Sequence, residues 1–347
     1  MMDSIVETNN DLWRIIGASV RGANHERQNK PNQDAIAWMP EAMDSEEMAQ
    51  EHEAPLVISI ADGHGSEKYF RSDIGAKHAV EIANDVLYRF AQGKERLSFS
   101  QIEAESVRLP YQIITQWNHR VKTDWEEHQG DEQVKEWLDN HPRDRSAISA
   151  SPTMPYGTTL LSVLITERFI LYSQIGDGDI IVLTSDGIYT DPIPADKRNF
   201  ADEAVSLYNA STNDFNIQLQ ELSAKRPALI LLATDGYSNS FTEKRGFYKV
   251  ATDIFHVIQS AGEEGLQTVA NNLQYWLTKS TQSGSGDDIS AGILWRMSAF
   301  QELVFDEDQA SSNTEAIQSS SPNLPVKTLT NLDDGPTLPA PATYTAS

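Results

Sequence analysis

The stretch VISIADGHGS, residues 57–66, decides how this chain must be read. Its first five residues are apolar or small, so they read as a strand buried on both faces or set inside a sandwich. Asp62 closes that run, where the backbone is held and the side chain reaches the rim of the core. Gly63 follows, and with no Cβ it permits a tight turn and close backbone approach to a ligand. Working outward, ALILLATDG (residues 228–236) repeats the pattern with Asp235 and Gly236, and Asp34 opens the apolar run DAIAW (residues 34–38). A single Asp-Gly pair is far more often a plain turn. Three carboxylates at strand ends carry more weight together, because Mg²⁺ and Mn²⁺ take oxygen ligands, backbone carbonyls among them.

Further short runs read as strands: WRIIGASV (13–20), PLVISIAD (55–62), TTLLSVLIT (158–166), RFILYSQIG (168–176), DIIVLTS (179–185) and ISAGILW (289–295). Phe70, Ile74, Ala79, Ile82, Ala83, Val86, Leu87 and Phe90 recur at helical spacing, as do Leu266, Val269, Ala270, Leu273, Trp276 and Leu277. Residues 100–130 and 132–138 also look helical, and HPRDRSAISASPTMP (141–155) reads as a polar connection. Strands outnumber helices, which favours a layered α+β domain over residues 10–300. MPEAMDSEEMAQEHEAP (39–55) reads as an acidic loop. Residues 305–347, rich in Ser, Thr and Pro, are expected to be a disordered tail.

Composition narrows the function classes. Of the 347 residues, 39% are hydrophobic and 22% charged, an ordinary globular balance. With no cysteine, thiolate catalysis, a thiolate zinc site and disulfides are all excluded. Lys and Arg number 27 against 51 Asp and Glu, so the net charge is −24, which disfavours nucleic acid and anionic membrane surfaces as partners. No apolar run approaches the roughly 20 residues of a membrane span. The start, MMDSIVETNNDLWR, lacks a secretory pattern, so a cytoplasmic protein is expected.

Six segments, in order, resemble the metal-dependent protein phosphatases of type 2C, in a bacterial-type form. They are GASVRGANHERQNKPNQDA (17–35), VISIADGHGS (57–66), YGTTLLSVLI (156–165), SQIGDGDI (173–180), LILLATDG (229–236) and SGDDIS (285–290). The resemblance implies a central sandwich of two antiparallel β-sheets flanked by helices, with a two-metal centre at one end. It implies that Asp62 bridges two Mn²⁺ or Mg²⁺ ions, that the Gly63 carbonyl binds one, and that Asp235 and Asp287 bind the other. Asp34 would orient a metal-bound water, Gln33 would act as a hydrogen bonder behind it, and Asp177 would serve a weaker third ion. In SGDDIS the pattern is Asp-Asn, so Asp287 takes the ligand role and Asp288 falls on the Asn. Many members carry an Asp where Asn239 stands, which should weaken that third site.

His64 is the resemblance's general acid, although a lone His is more often a surface residue. Arg27 is the first candidate for the phosphate, with Arg21 as fallback. Asp186-Gly187, in LTSDGIYTDP (183–192), reads instead as a hairpin turn, and Gly157-Thr158-Thr159 as a structural turn packed near the site. The expected function is therefore dephosphorylation of phosphoserine and phosphothreonine in signalling, by attack of a metal-bridged water. The substrate would be a phosphorylated protein, a kinase or a kinase target, and the enzyme a monomer. The alternative is a phosphatase-like regulatory protein that binds phosphoprotein with little turnover. A nuclease or small-molecule phosphohydrolase is a third class, disfavoured for nucleic acid by charge.

Overall fold

A computed structural model describes residues 12–40, 51–94, 96–193, 205–222 and 226–302. The segment read as a disordered tail lies outside the described residues, as does most of the acidic loop. Two antiparallel sheets form the centre. One has the order β3 (Glu51–His52), β1 (Trp13–Val20), β11 (Ile289–Arg296), β10 (Pro227–Ala233), β7 (Asp179–Thr184), β8 (Tyr189–Thr190). The other runs β2 (Ala35–Met39), β4 (Leu56–Ala61), β5 (Leu160–Ile165), β6 (Phe169–Ile175), β9 (Asn216–Glu221).

The apolar runs are continuous because both strand faces meet another apolar layer. Ile58 and Ile60 of β4 join Ile15, Leu161, Val163, Ile230, Leu232 and Leu294 between the sheets. Their neighbours Val57 and Ala61 face outward, into a cluster with α2 (Ser72–Ala91) and α4 (Leu109–His128). On the outer face of the first sheet, Ile181, Leu229, Leu231 and Ile293 pack on Phe247, Ile254 and Phe255 of α8 (Lys244–Ala261) and Leu266, Leu273 and Trp276 of α9 (Glu263–Ser283). Each such fully buried aliphatic or Phe side chain contributes roughly 1.5–3 kcal/mol. The result is a helix, sheet, sheet, helix stack.

Register then places the chemistry. Ala35 pairs with Ala61, Ile60 with Leu161, and Leu160 with Ile175, so β2 begins where β4 ends and β5 begins where β6 ends. In the other sheet Asp179 pairs with Ala233, Ala233 with Ala291, and Val20 with Ile289. Asp34, Asp62, Asp177, Asp235 and Asp287 thus all leave the same end of the sandwich.

Several local expectations need correction. Residues 141–155 are not merely a connection: α6 (Pro142–Ala150) forms there, with Ile148 its one buried residue, so no apolar stripe betrays it. The helical stretch 100–130 is two helices, α3 (Phe99–Ser106) and α4, broken at Val107 and Arg108, with Pro110 in the first turn of α4. The helix at 132–138 is α5 (Glu132–Asn140). Helix α8 and strand β9 are additional to the reading above. A one-turn helix, α7 (Asp235–Ser238), follows β10, and α1 (Ala23–Gln28) lies between β1 and β2.

Candidate metal centre

Asp62 is held through its backbone by a remote segment. The Asp62 carbonyl accepts the Thr159 N–H and the Thr158 hydroxyl, both at 2.8 Å, and its N–H donates to Thr159 Oγ1 at 3.1 Å. The structural role read for Gly157-Thr158-Thr159 is thus a clamp on Asp62. Gly63 donates its N–H to the Gln33 carbonyl at 3.1 Å, and a Cβ there would stand 2.5 Å from that oxygen and 2.8 Å from the Ser72 carbonyl. Only glycine lets the β4 turn approach the start of β2 so closely. Gln33 also donates from Nε2 to Ser72 Oγ at 2.6 Å and to the His64 carbonyl at 3.3 Å, which fits its expected supporting place.

The two sheets meet at Asp34. Thr234 Oγ1, at the end of β10, donates to Asp34 Oδ2 at 2.8 Å, while Asp34 Oδ1 is buried with no partner. Burial first, then the negative charges of Asp288 and Asp287, hold the Asp34 carboxyl well above its ordinary pKa. Asp62 keeps some solvent contact at the rim. Even so, the protein around it is dense enough that burial, followed by the charges of Asp34 and Asp235, pushes it well above the carboxylate range. Asp287 is exposed to solvent on one side, yet the protein packed around it, and then the Asp235 charge, raise its pKa. Asp177 is pushed up to about 6, by burial and then by Asp235, and its neighbour Asp179 pairs with Lys244 Nζ at 2.7 Å. The carboxylates expected at the centre therefore share one electrostatic neighbourhood. Asn239 donates from Nδ2 to Asp235 Oδ2 at 2.9 Å.

His64 stands beside them, half-buried, with its N–H on the Gly157 carbonyl at 3.0 Å and its ring against Tyr69, centroids 4.8 Å apart. Arg27 does not join this group: it is exposed on α1, its guanidinium bonded to Asn24 Oδ1 of the same helix. The cation that does reach the loop is Lys30, which the sequence reading passed over. Asn29 adopts a left-handed conformation, φ 54°, that ends α1, and Lys30 then extends Nζ to the Gly65 carbonyl at 3.1 Å. The role of Asp288, noted in the sequence only as standing on the pattern's Asn, was also missed; it is only 3% exposed. Its Oδ1 accepts the Gly22 N–H at 2.5 Å, its Oδ2 accepts the Gln33 N–H at 2.6 Å, and Oδ2 also lies 2.8 Å from His25 Nδ1. That bond holds the His25 pKa above its usual value.

Among the described residues no three His, Asp or Glu side chains are already drawn tightly enough to close on a metal. The donor set nevertheless suits a hard divalent cation: several like charges raise one another's proton affinity, and one buried oxygen lacks any partner. Asp186 has the expected turn role, between β7 and β8 with Gly187 at φ 76°.

The protein phosphatase 2C family model matches residues 21–278, and the chain belongs to that family. A comparison with curated proteins finds no match. Among solved structures, the chain is similar to the Mycobacterium tuberculosis serine/threonine phosphatase PstP/Ppp (14% identity, TM-score 0.45, covering 82% of this chain and 98% of that one). It is likewise similar to the catalytic domain of serine threonine protein phosphatase PstP in complex with two manganese ions (16%, 0.43, 82% and 99%) and to the S. agalactiae serine/threonine phosphatase (16%, 0.44, 82% and 99%).

Proposed function

We propose that the chain is a divalent-metal-dependent phosphatase acting on phosphoserine and phosphothreonine in proteins, through a catalytic domain spanning residues 10–300. The observation that carries this reading is the meeting of Asp34, Asp62, Asp235 and Asp287 at one end of the sandwich, with Asp34 Oδ1 buried and unpartnered. Asp62, the Gly63 carbonyl, Asp235 and Asp287 would hold two Mn²⁺ or Mg²⁺ ions, and Asp177 a weaker third. Bound there, such ions neutralise phosphoryl oxygens and lower the pKa of the attacking water.

The chain's own groups do the rest. Asp34, steadied by Thr234, offers Oδ1 as an acceptor that orients the water towards phosphorus. His64, braced by Tyr69, delivers a proton to the leaving serine or threonine oxygen as the P–O bond breaks. Lys30, on the Gly65 carbonyl, is better placed than Arg27 to meet the phosphate. Substrates would be phosphorylated proteins, a kinase or its targets, met in the cytoplasm by a monomer. Among the described residues no helix is long and apolar enough to cross a membrane.

Hydrolysis of a phosphothreonine peptide with Mn²⁺, and again with chelator, tests the reading. Phosphate release that chelator abolishes is expected. A peptide bound but never turned over would favour the regulatory alternative.

A further inference from the structure

The segment 21–33 crosses from the end of β1 in one sheet to the start of β2 in the other, carrying Lys30 and delivering Asp34. It has little apolar anchorage, with Gly22, His25 and Gln33 its buried residues. Polar contacts hold it instead, among them Asn24 N–H to the Gly286 carbonyl at 2.8 Å and Asn32 Nδ2 to Ser19 Oγ at 2.8 Å, and one carboxylate grips it at three points. Asp288 Oδ1 takes the Gly22 N–H at the segment's beginning, and Oδ2 takes the Gln33 N–H at its end and His25 Nδ1 in its middle. We propose that Asp288, seated by His25, is a positioning residue that sets the spacing of Asp34, Gly63 and Asp287 before metal binds; the proposal rests on the phosphatase reading above.

Connectivity makes the case. Gln33 precedes Asp34 in the chain, and its carbonyl receives the Gly63 N–H at 3.1 Å. Asp288 follows Asp287, and its own N–H donates to Asp287 Oδ1 at 2.9 Å. One carboxylate is therefore next to Asp287 in the chain, one hydrogen bond and one residue from Asp34, and two hydrogen bonds from Gly63. Thr281 closes the arrangement from α9: its hydroxyl donates to the Asp287 carbonyl at 2.7 Å and accepts the Ala23 N–H at 3.0 Å.

The geometry also accounts for an acid where the resembling pattern has Asn. Both oxygens of Asp288 accept a backbone N–H, and those N–H groups cannot be reoriented without moving the segment. An amide offers one oxygen only, so in Asp288→Asn either Gly22 or Gln33 would face an NH₂ group. Groups that hold ligands in place typically change metal affinity 10- to 100-fold when lost.

The test uses the full chain and Mn²⁺ alone, titrated calorimetrically into metal-free protein, beside thermal melts in chelator. Asp288→Asn is expected to bind Mn²⁺ about 10- to 100-fold more weakly, with peptide turnover restored at saturating Mn²⁺. His25→Leu is expected to weaken binding too. His25→Asn, whose Nδ2 keeps a donor near the place of Nδ1, should stay close to wild type. If Asp288→Asn does not fold, the two His25 variants carry the same test, since they leave both backbone bonds intact. Variants that melt lower yet bind Mn²⁺ as wild type does would overturn the positioning role and leave Asp288 a fold tether. His25→Asn binding as weakly as His25→Leu would overturn His25's part. A wild type that binds no Mn²⁺ would overturn the phosphatase reading itself.

Discussion

Asp62-Gly63 and Asp186-Gly187 are the same dipeptide after the same kind of strand, and they have opposite fates. Asp186 Oδ1 accepts from the Thr184 hydroxyl and from the Ile188 N–H, so its carboxylate serves its own turn. Around Gly187 nothing stands within 4 Å of where a Cβ would be. At Gly63 that position collides with two carbonyl oxygens from distant parts of the chain, and the Asp62 carboxylate faces other carboxylates. The six residues of β7 put the two ends of the sandwich about 20 Å apart. A strand-end Asp-Gly becomes a site only where register brings other strand ends to meet it.

The sharpest way to break this comparison is to neutralise Asp62. Asp62→Asn should lose activity by about 10³-fold or more while remaining folded, beyond the usual cost of one stabilising group, since on the proposed reading Asp62 would serve both ions. Near wild-type phosphate release from that variant would end the assignment. His64→Ala should cost about 10²-fold in kcat on a phosphothreonine peptide, and distinctly less on an aryl phosphate, whose leaving group needs less protonation. Equal losses on both substrates would remove His64 from the acid role.

The same Asp62→Asn variant makes a prediction of opposite sign for stability. In metal-free protein the folded state binds a proton at Asp62 more tightly than the unfolded chain does, because the pKa is raised. Stability must then fall as pH climbs from the ordinary carboxylate value of about 4 through the raised one. Asn carries no such liability. Metal-free Asp62→Asn should melt above wild type at pH 8, with the gain vanishing near pH 4. Melts in chelator at both pH values check it, and a variant less stable than wild type at pH 8 would mean the carboxylates do not repel.

What was legible in the sequence follows the same division. Strands such as β4, β5 and β10 announced themselves because burial on both faces calls for near-continuous apolar runs, and the polar residues they carry, Ser59 and Ser162, are hydrogen-bonded to each other. Helix α6 was hidden since Ile148 alone is buried, and β9, NIQLQE at a sheet edge, since its exposed face asks for polar residues. Helix α8 did carry a signal, Phe247, Val250, Ile254 and Ile258, that reading could have caught. Asp34, Asp62 and Asp235 were readable as strand-end acids, and Asp287 through the resemblance of SGDDIS. Asp288 was not, because two adjacent carboxylates look alike until backbone N–H groups from residues 22 and 33 select one. Lys30 depends on the left-handed turn at Asn29, and no spacing rule reports that its ammonium reaches Gly65.

The smallest expected effect is at the other Asp-Gly pair, and it bears directly on the comparison. Asp186→Ala removes the acceptor for Thr184 and Ile188 in an exposed turn, where solvent can replace what is lost. Net hydrogen-bond contributions of roughly 0.5–1.5 kcal/mol set the ceiling, and exposure argues for the lower end. Gly187 keeps its φ of 76° through the Gly187 N–H to Thr184 carbonyl bond at 2.9 Å, and the Thr184 N–H still reaches the Ile188 carbonyl at 3.0 Å, so the hairpin retains its backbone frame. Melting temperature should drop by a degree or two at most, and Mn²⁺ affinity and peptide turnover should be unchanged. A loss of metal binding in Asp186→Ala would show that the β7–β8 turn communicates with the far end of the sandwich, and local sequence would then matter more than the convergence argued for Asp62.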